Sequence, residues 1–244
     1  MTGSTGVSGV RAVSVAEAHR GLPDLSFAVT GVSALPHAAV PTLVLTLAVA
    51  RTGGGPIRSL TLSTTVRIDA ARRSYTPAET LALAQLFGQP DQWATSMQPL
   101  SWAQVTSVVP PFDERTEIDL AIPCGGDAGL AVVTYLRAVR DGEVPLDLLF
   151  RGTVFHTDPG GRLATAQIPW DKEAACRLPA ELWHDLNSRY YGATSWLRLS
   201  PGTHDRLSAY QTSHGLTDAE QAVSALLDTA LPRPAQTTEA TWTP

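Results

Sequence analysis

The sequence predicts a mainly β protein of the α+β class: an antiparallel β-sandwich or open barrel with an inserted helix and a small C-terminal helical unit. Runs of alternating apolar residues recur between Asp24 and Ile168, and turn-forming Gly, Pro and Asp separate them. After Trp170 this alternation stops and helix start signals follow. A length of 244 residues with 43% hydrophobic residues is enough for a real core.

The stretch from Asp141 to His156 is the predicted centre of the β body. Asp141 and Gly142 form a turn dipeptide, because Gly adopts positive φ without steric cost. The residues from Val144 to Phe155 are rich in apolar and aromatic types that pack on a sheet. We interpret this stretch as the central hairpin.

The chain begins with a segment of small and polar residues, 1–21, which we expect to be a flexible arm. Period-two alternation then predicts strands at Asp24–Val32, Val40–Ala50 and Ile57–Ile68. The last two are separated by Thr52–Pro56, which contains three consecutive glycines. A Gly-rich turn between alternating runs predicts a hairpin.

A single helix is predicted within the first half, at 77–88. Thr76 is placed to cap its first amides, a proline occupies its first position, and Glu79 completes a capping box. Further strands are predicted at Arg115–Pro123 and Gly129–Tyr135, where apolar residues again dominate.

The domain organisation follows from these elements. The loop Thr157–Gly161 predicts a second hairpin, which closes a β body spanning 22–170. Three helix start signals then predict a helical C-terminal unit, 171–231, packed on the body. The polar and proline-containing tail, 232–244, is expected to be disordered.

Composition excludes several classes of function. A net charge of −5 with no basic run argues against nucleic acid as a partner. Neither a signal peptide nor an apolar run long enough to span a membrane is present, so the expected location is cytoplasmic. Cys124 and Cys176 lie outside any CxxC pattern, which favours buried free thiols over a disulfide or a metal site. No cofactor motif is found.

Two groups of polar residues are candidates for a pocket or a partner surface. His156 and Asp158 lie at the end of the central strand, where a histidine oriented by a carboxylate could act as a base, although turn chemistry alone explains Asp158. The second group follows Trp170 and contains the chain's one lysine between two carboxylates, a pattern typical of an ion pair at a junction or of an enzyme site. It consists of Asp171, Lys172 and Glu173, and Trp170 beside it is a further candidate for the same surface.

Several short segments together form a recognisable pattern. They are Leu86–Gly88 with Trp93, Pro111–Phe112, Ile122–Cys124, Gly142–Leu146, Phe150–Phe155, Ile168–Glu173, Leu178–Pro179 with Trp183, and Trp196–Leu199. With this pattern, the chain resembles a domain family of actinobacterial proteins that has no assigned activity. The resemblance covers about Leu25 to Leu231, and it implies no catalytic residues. Members of the family look like neighbours of uptake NiFe-hydrogenase genes, which implies an accessory role.

Three functions remain open at this point. The leading hypothesis is a non-catalytic protein-binding or assembly factor, with hydrogenase subunits or maturation factors as its partners. The first alternative is a hydrolase or small-molecule-binding enzyme, which requires His156, Asp158 and the segment Asp171–Glu173 to meet in one pocket. The second is a carbohydrate-binding sandwich, which requires a row of exposed aromatic residues. Six tryptophans leave open whether these side chains fill the core or mark a partner surface.

Overall fold

A computed structural model describes residues 22–124, 129–192, 197 and 199–230. The chain divides into two compact units, Met1–Ala193 and Thr194–Pro244. The arm and the tail predicted at 1–21 and 232–244 lie outside the described residues.

The described residues of the first unit form eight antiparallel strands in two sheets, which confirms the predicted sandwich-like α+β class. One sheet has the order β1-β2-β5, and the other has the order β4-β3-β6-β7, with β8 also paired to β6. Inward-facing Leu, Val, Ile and Phe side chains from both sheets form the core. The strands are β1 (Asp24–Ala34), β2 (Thr42–Thr52), β3 (Ile57–Ile68), β4 (Leu100–Val109), β5 (Arg115–Pro123), β6 (Glu143–Thr157), β7 (Leu163–Gln167) and β8 (Glu173–Pro179).

Helices of the first unit connect these strands. A 3-10 turn, Ala70–Arg72, precedes the first α-helix, and another, Pro90–Gln92, precedes the second. The α-helices are α1 (Pro77–Phe87), α2 (Trp93–Ser96), α3 (Leu130–Ala138) and α4 (Ala180–Tyr191).

The inserted helix α1 confirms the prediction at 77–88. Thr76 Oγ1 accepts a hydrogen bond from the Glu79 amide, and the Glu79 carboxylate accepts one from the Thr76 amide, which completes the capping box. The helix ends at Gly88, whose φ of +79° suits glycine.

The strand β6 is central, as predicted, but the hairpin expected before it is wrong. The Asp141–Gly142 turn joins α3 to β6, because the predicted strand at Gly129–Tyr135 is the start of α3. Buried Val132, Tyr135 and Leu136 recur at helical spacing there. A short apolar run fits either a buried strand or a buried helix, which explains the error.

The Gly-rich connection after β2 is not a hairpin either. β2 pairs with β1 and β5, whereas β3 pairs with β4 and β6, so the segment Thr52–Pro56 carries the chain from one sheet to the other. Gly53 and Gly54 adopt φ values of +68° and +60° there. The hairpin predicted around Thr157–Gly161 is confirmed, since it joins β6 to β7.

Residues at the predicted start of the helical unit form strand β8 instead. Ala174, Cys176 and Leu178 alternate with exposed residues and face inward, which is a strand pattern. Helix therefore begins only at Ala180. The second unit contains α5 (Pro201–Ser213) and α6 (Ala219–Ala230), which contact each other. That a helical unit packs on the β body stays a prediction.

Candidate functional site

Trp170 is the most exposed large apolar side chain of the described residues, with 91% of its surface accessible. It lies in the connection between β7 and β8. The other described tryptophans answer the question that the sequence left open: Trp102 and Trp183 are buried, and Trp93 is half-buried against the core. Trp170 is also the one exposed aromatic residue within the described ranges, so no exposed aromatic row is found there.

Lys172 fixes the connection that carries Trp170. Its Nζ lies 2.7 Å from Asp24 Oδ1 at the start of β1. Its carbonyl oxygen accepts a hydrogen bond from the Phe150 amide at 3.0 Å, and its own amide donates to the Pro169 carbonyl at 3.3 Å. The ion pair is half-open to solvent and therefore weak, but the backbone bonds hold the loop against β6.

Neither of the two carboxylates beside Lys172 in the chain is its ion-pair partner. Asp171 and Glu173 are both exposed, and Glu173 pairs with Leu149 at the start of β8. Lys172 instead pairs with Asp24, which is distant in sequence and which sequence reasoning did not include. Lys172 therefore has a structural role, and the two carboxylates beside it lie exposed at the surface.

His156 lies in the core. Only 1% of it is exposed, and neither ring nitrogen has a hydrogen-bond partner among the described residues. Asp158 belongs to the β6–β7 turn: its Oδ1 accepts from the Arg162 amide at 2.8 Å, and its amide donates to the Arg162 carbonyl at 2.8 Å. Turn chemistry therefore accounts for Asp158.

The structure does not bring these two groups together. His156 pairs with Ala164 on β7, whereas Glu173 pairs with Leu149 on β8, seven residues back along β6. At about 3.3 Å per residue, these positions lie roughly 23 Å apart along the strand. The common pocket that the hydrolase alternative requires is not formed by these residues.

Within the described ranges, no group of three or more His, Cys, Asp or Glu side chains is placed to hold a metal ion. Cys124 and Cys176 are free, and burial raises their thiol pKa values to about 12 and about 11. None of the described helices is long and apolar enough to cross a membrane.

Sequence reasoning missed a cavity of about 440 Å³ between the β1–β2 turn and the end of α4. His37 in the turn and Arg189 and Tyr190 on the helix line it. They are separated by about 150 positions in the chain, and no spacing rule connects them. One local signal was available: a histidine directly after Pro36, in a turn where glycine is the usual residue.

The fold defines the class of protein as an antiparallel β-sandwich domain with added helices. The chain belongs to a family described as a family of unknown function (DUF6084), whose model matches residues 22–235. No curated protein matches the sequence.

Solved structures give distant likenesses. The CARDB domain of a Pyrococcus furiosus protein, determined in complex with di-metal ions, is 11% identical, with 64% of this chain and 92% of that chain covered at a TM-score of 0.26. A protein assigned as ApaA from Bordetella pertussis is 13% identical, with 64% and 94% covered, also at 0.26. Likenesses at this level bear on neither ligand nor activity.

Proposed function

We propose that this protein is a non-catalytic, cytoplasmic accessory factor that binds a protein partner through the loop containing Trp170. The observation that supports the proposal is the 91% exposure of that indole. Burying a large aromatic side chain in an interface is favourable, because it removes apolar surface from water. Tryptophan is also one of the residue types enriched among binding hot spots.

The loop is held in place before any partner arrives. The Ile168 amide donates to the Gly152 carbonyl at 3.0 Å, and the Phe150 amide donates to the Lys172 carbonyl at 3.0 Å, so both ends of the loop are fixed to β6. Binding through a fixed loop costs less conformational entropy than ordering a mobile one. The backbone that carries Trp170 is thus positioned before binding.

The resemblance of the sequence to an actinobacterial family near uptake hydrogenase genes directs the choice of partner. We propose hydrogenase subunits or their maturation factors, with this chain acting in assembly. Asp171 and Glu173, which follow Trp170 in the chain, are both exposed, and we assign their carboxylates to the polar rim of the contact.

The test is affinity purification from the native host under hydrogenase-inducing conditions, followed by quantitative mass spectrometry. Tagged wild-type protein is compared with Trp170→Ala and with a matched control, Leu81→Ala, which removes an apolar side chain that is 79% exposed on α1. We expect wild type and the control to recover hydrogenase subunits or maturation factors in stoichiometric amounts, and Trp170→Ala to lose them.

Recovery of wild-type protein alone would refute the accessory role. Equal recovery with all three proteins would retain the accessory role and refute Trp170 as the contact. Because Trp170 is exposed, its replacement changes the free energy of unfolding by less than about 0.5 kcal/mol, and urea unfolding verifies that a loss of binding is not a loss of folding.

A further inference from the structure

The cavity between the β1–β2 turn and α4 has the form of a small-molecule site. Its volume of about 440 Å³ lies within the usual range of ligand pockets, roughly 300–1,000 Å³. It is half-open to solvent, and its walls are mostly apolar with three polar side chains among them, of which His37 and Arg189 are exposed. The apolar lining comes from Ala34, Leu35, Pro36, Ala38 and Leu186, and the polar lining from His37, Arg189 and Tyr190.

His37 holds an unusual backbone conformation at this cavity. It is the one non-glycine residue with positive φ in the described part of the chain, at +58°. Positive φ directly after a proline is typical of a type II turn, in which glycine takes this position at no steric cost. Histidine costs more, on the order of 1 kcal/mol, and what it adds is an imidazole in the cavity lining.

Two hydrogen bonds anchor the β1–β2 turn that forms one wall of the cavity. The Tyr190 hydroxyl donates to the Ala38 carbonyl at 2.6 Å, which ties the turn to the last turn of α4. The Leu35 amide donates to the Thr42 carbonyl at 2.8 Å and closes the β1–β2 connection. The turn is thereby positioned against the helix, so a ligand enters a preformed site.

The charge of the lining favours an anion. Arg189 is permanently cationic and His37 is a hydrogen-bond donor in either tautomer, whereas none of the described residues lining the cavity is acidic. The α4 carboxylate nearest in sequence, Asp185, is exposed one turn earlier and does not line the cavity. Arg189 also offsets the partial negative charge at the C-terminal end of α4.

We propose that this cavity binds a small monocarboxylate with an apolar body. Arg189 and His37 receive the carboxylate, and Leu35, Pro36 and Leu186 cover the apolar body. The arginine fork matches a carboxylate in a planar, charge-assisted arrangement. This site is separate from the Trp170 loop, so the proposal does not depend on the accessory role.

The test uses hexanoate as the probe and hexanamide as its uncharged analogue. Binding to the full chain is followed by amide chemical shifts in a ¹⁵N-labelled sample and by titration calorimetry. We expect hexanoate to bind in the millimolar range or tighter, with shifts centred on the β1–β2 turn and the end of α4. Hexanamide is expected to bind at least about tenfold more weakly, because it cannot form the charge-assisted bonds.

Variants then assign the roles. Arg189→Gln keeps the length of the side chain and removes its charge, and we expect hexanoate affinity to fall by about tenfold or more. His37→Asn keeps a residue type that tolerates positive φ, and we expect a smaller loss of about threefold. The matched control is Arg177→Gln, an exposed arginine on β8 whose loss changes the net charge equally and should leave affinity unchanged.

Three results would overturn the proposal. One is equal affinity for hexanoate and hexanamide, which needs no variant and is unaffected by any folding defect. Another is inorganic phosphate binding as tightly as hexanoate at the same residues, because it would remove the role of the apolar walls. The third is an equal loss with Arg189→Gln and Arg177→Gln, because it would show a general effect of net charge.

Discussion

Replacing Glu79 with glutamine tests how the first unit is held together. Glu79 is only 3% exposed, and four hydrogen bonds reach its carboxylate. Oε1 accepts from Arg73 Nη2 at 2.7 Å and from the Arg140 amide at 3.2 Å, and Oε2 accepts from the Thr76 amide at 2.9 Å and the Thr76 hydroxyl at 3.2 Å. One side chain therefore joins α1 to the segment between α3 and β6.

The magnitude follows from what glutamine leaves behind. The Arg73 side chain is 9% exposed, and after Glu79→Gln its nearest carboxylate is that of Asp141, which is 3.8 Å away and 77% exposed. The buried guanidinium therefore loses its close, buried counter-charge. Breaking one side of a buried ion pair costs about 3–5 kcal/mol, and glutamine retains part of the hydrogen bonding, so we expect a loss near 3 kcal/mol. Domains of this size are stable by about 5–15 kcal/mol, so the loss is large but leaves a folded protein.

The pH dependence gives this prediction its second readout. Burial raises the pKa of Glu79, but hydrogen bonds from the Thr76 and Arg140 amides, the charge of Arg73 and the Thr76 hydroxyl together lower it below its usual value. A carboxyl whose pKa is lower in the folded state stabilises fully above its unfolded pKa of about 4.3, and that stabilisation is lost as the pH falls through the folded pKa. The difference between wild type and Glu79→Gln should therefore shrink below about pH 4.

Urea unfolding, followed by circular dichroism and tryptophan fluorescence at pH 7 and pH 3.5, measures both effects. The matched control is Glu117→Gln, an exposed glutamate on β5, which should change the free energy of unfolding by less than about 0.5 kcal/mol. Equal losses with the two variants, or a difference that does not depend on pH, would refute the assignment of Glu79 as a buried structural anion.

Three further changes test the core, a close backbone contact and a buried thiol. His156→Leu should raise the free energy of unfolding by about 1 kcal/mol, because both ring nitrogens are buried without a partner among the described residues. A lower free energy of unfolding in urea would instead show that the imidazole has a hydrogen-bond partner. Gly55→Ala should destabilise the protein by at least about 2 kcal/mol, because a Cβ there would lie 1.9 Å from the Thr157 carbonyl oxygen. As a control, a Cβ at Gly202 in α5 would meet no atom within 4 Å, so Gly202→Ala should stabilise slightly. Thermal unfolding measures both changes. Cys124, with a pKa of about 12, should react with iodoacetamide at pH 8 only in denaturant; rapid labelling of the folded protein, seen by peptide mass spectrometry, would contradict its burial.

Local signals predicted the parts of the fold that depend on local chemistry. The capping box at Thr76 and Glu79 is a short-range pattern, and it placed the start of α1 correctly. Period-two alternation located the strands whose two faces differ, such as β5, where Leu120 and Ile122 are buried and their neighbours exposed.

Prediction from the sequence failed where both faces of an element are apolar, and where strands pair with partners that are distant in the chain. The run around Val132 is apolar enough for either a strand or a helix, and only packing in the folded protein selects the helix. The Thr52–Pro56 turn looks like a hairpin because its glycines are a hairpin signal, but the register of β2 with β5 and of β3 with β6 sends the two strands into different sheets. Sequence distance hides such pairings.

The same limit applies to the candidate site. Residues near one another in sequence, His156 and Asp158, looked like a functional pair, yet one is in the core and the other in a turn. Lys172 forms its ion pair with Asp24, and Arg189 lines the same cavity as His37. In both cases a residue near the start of the first unit meets one near its end. Motif reading detects neighbours, so it could not detect either pairing.

The location of these features separates folding from function in this domain. β6 pairs with three strands of the five-stranded sheet, and its inward side chains, including that of His156, are buried in the core. The exposed indole instead lies in the β7–β8 connection, and the anion-favouring cavity lies between the β1–β2 connection and α4. Surface connections tolerate change better than the strands that they join. Substitutions at Trp170 and Arg189 should therefore alter partner binding and carboxylate binding independently, and each should change the free energy of unfolding by less than about 1 kcal/mol. A substitution at either position that abolishes both activities would show that the two surfaces act as one site.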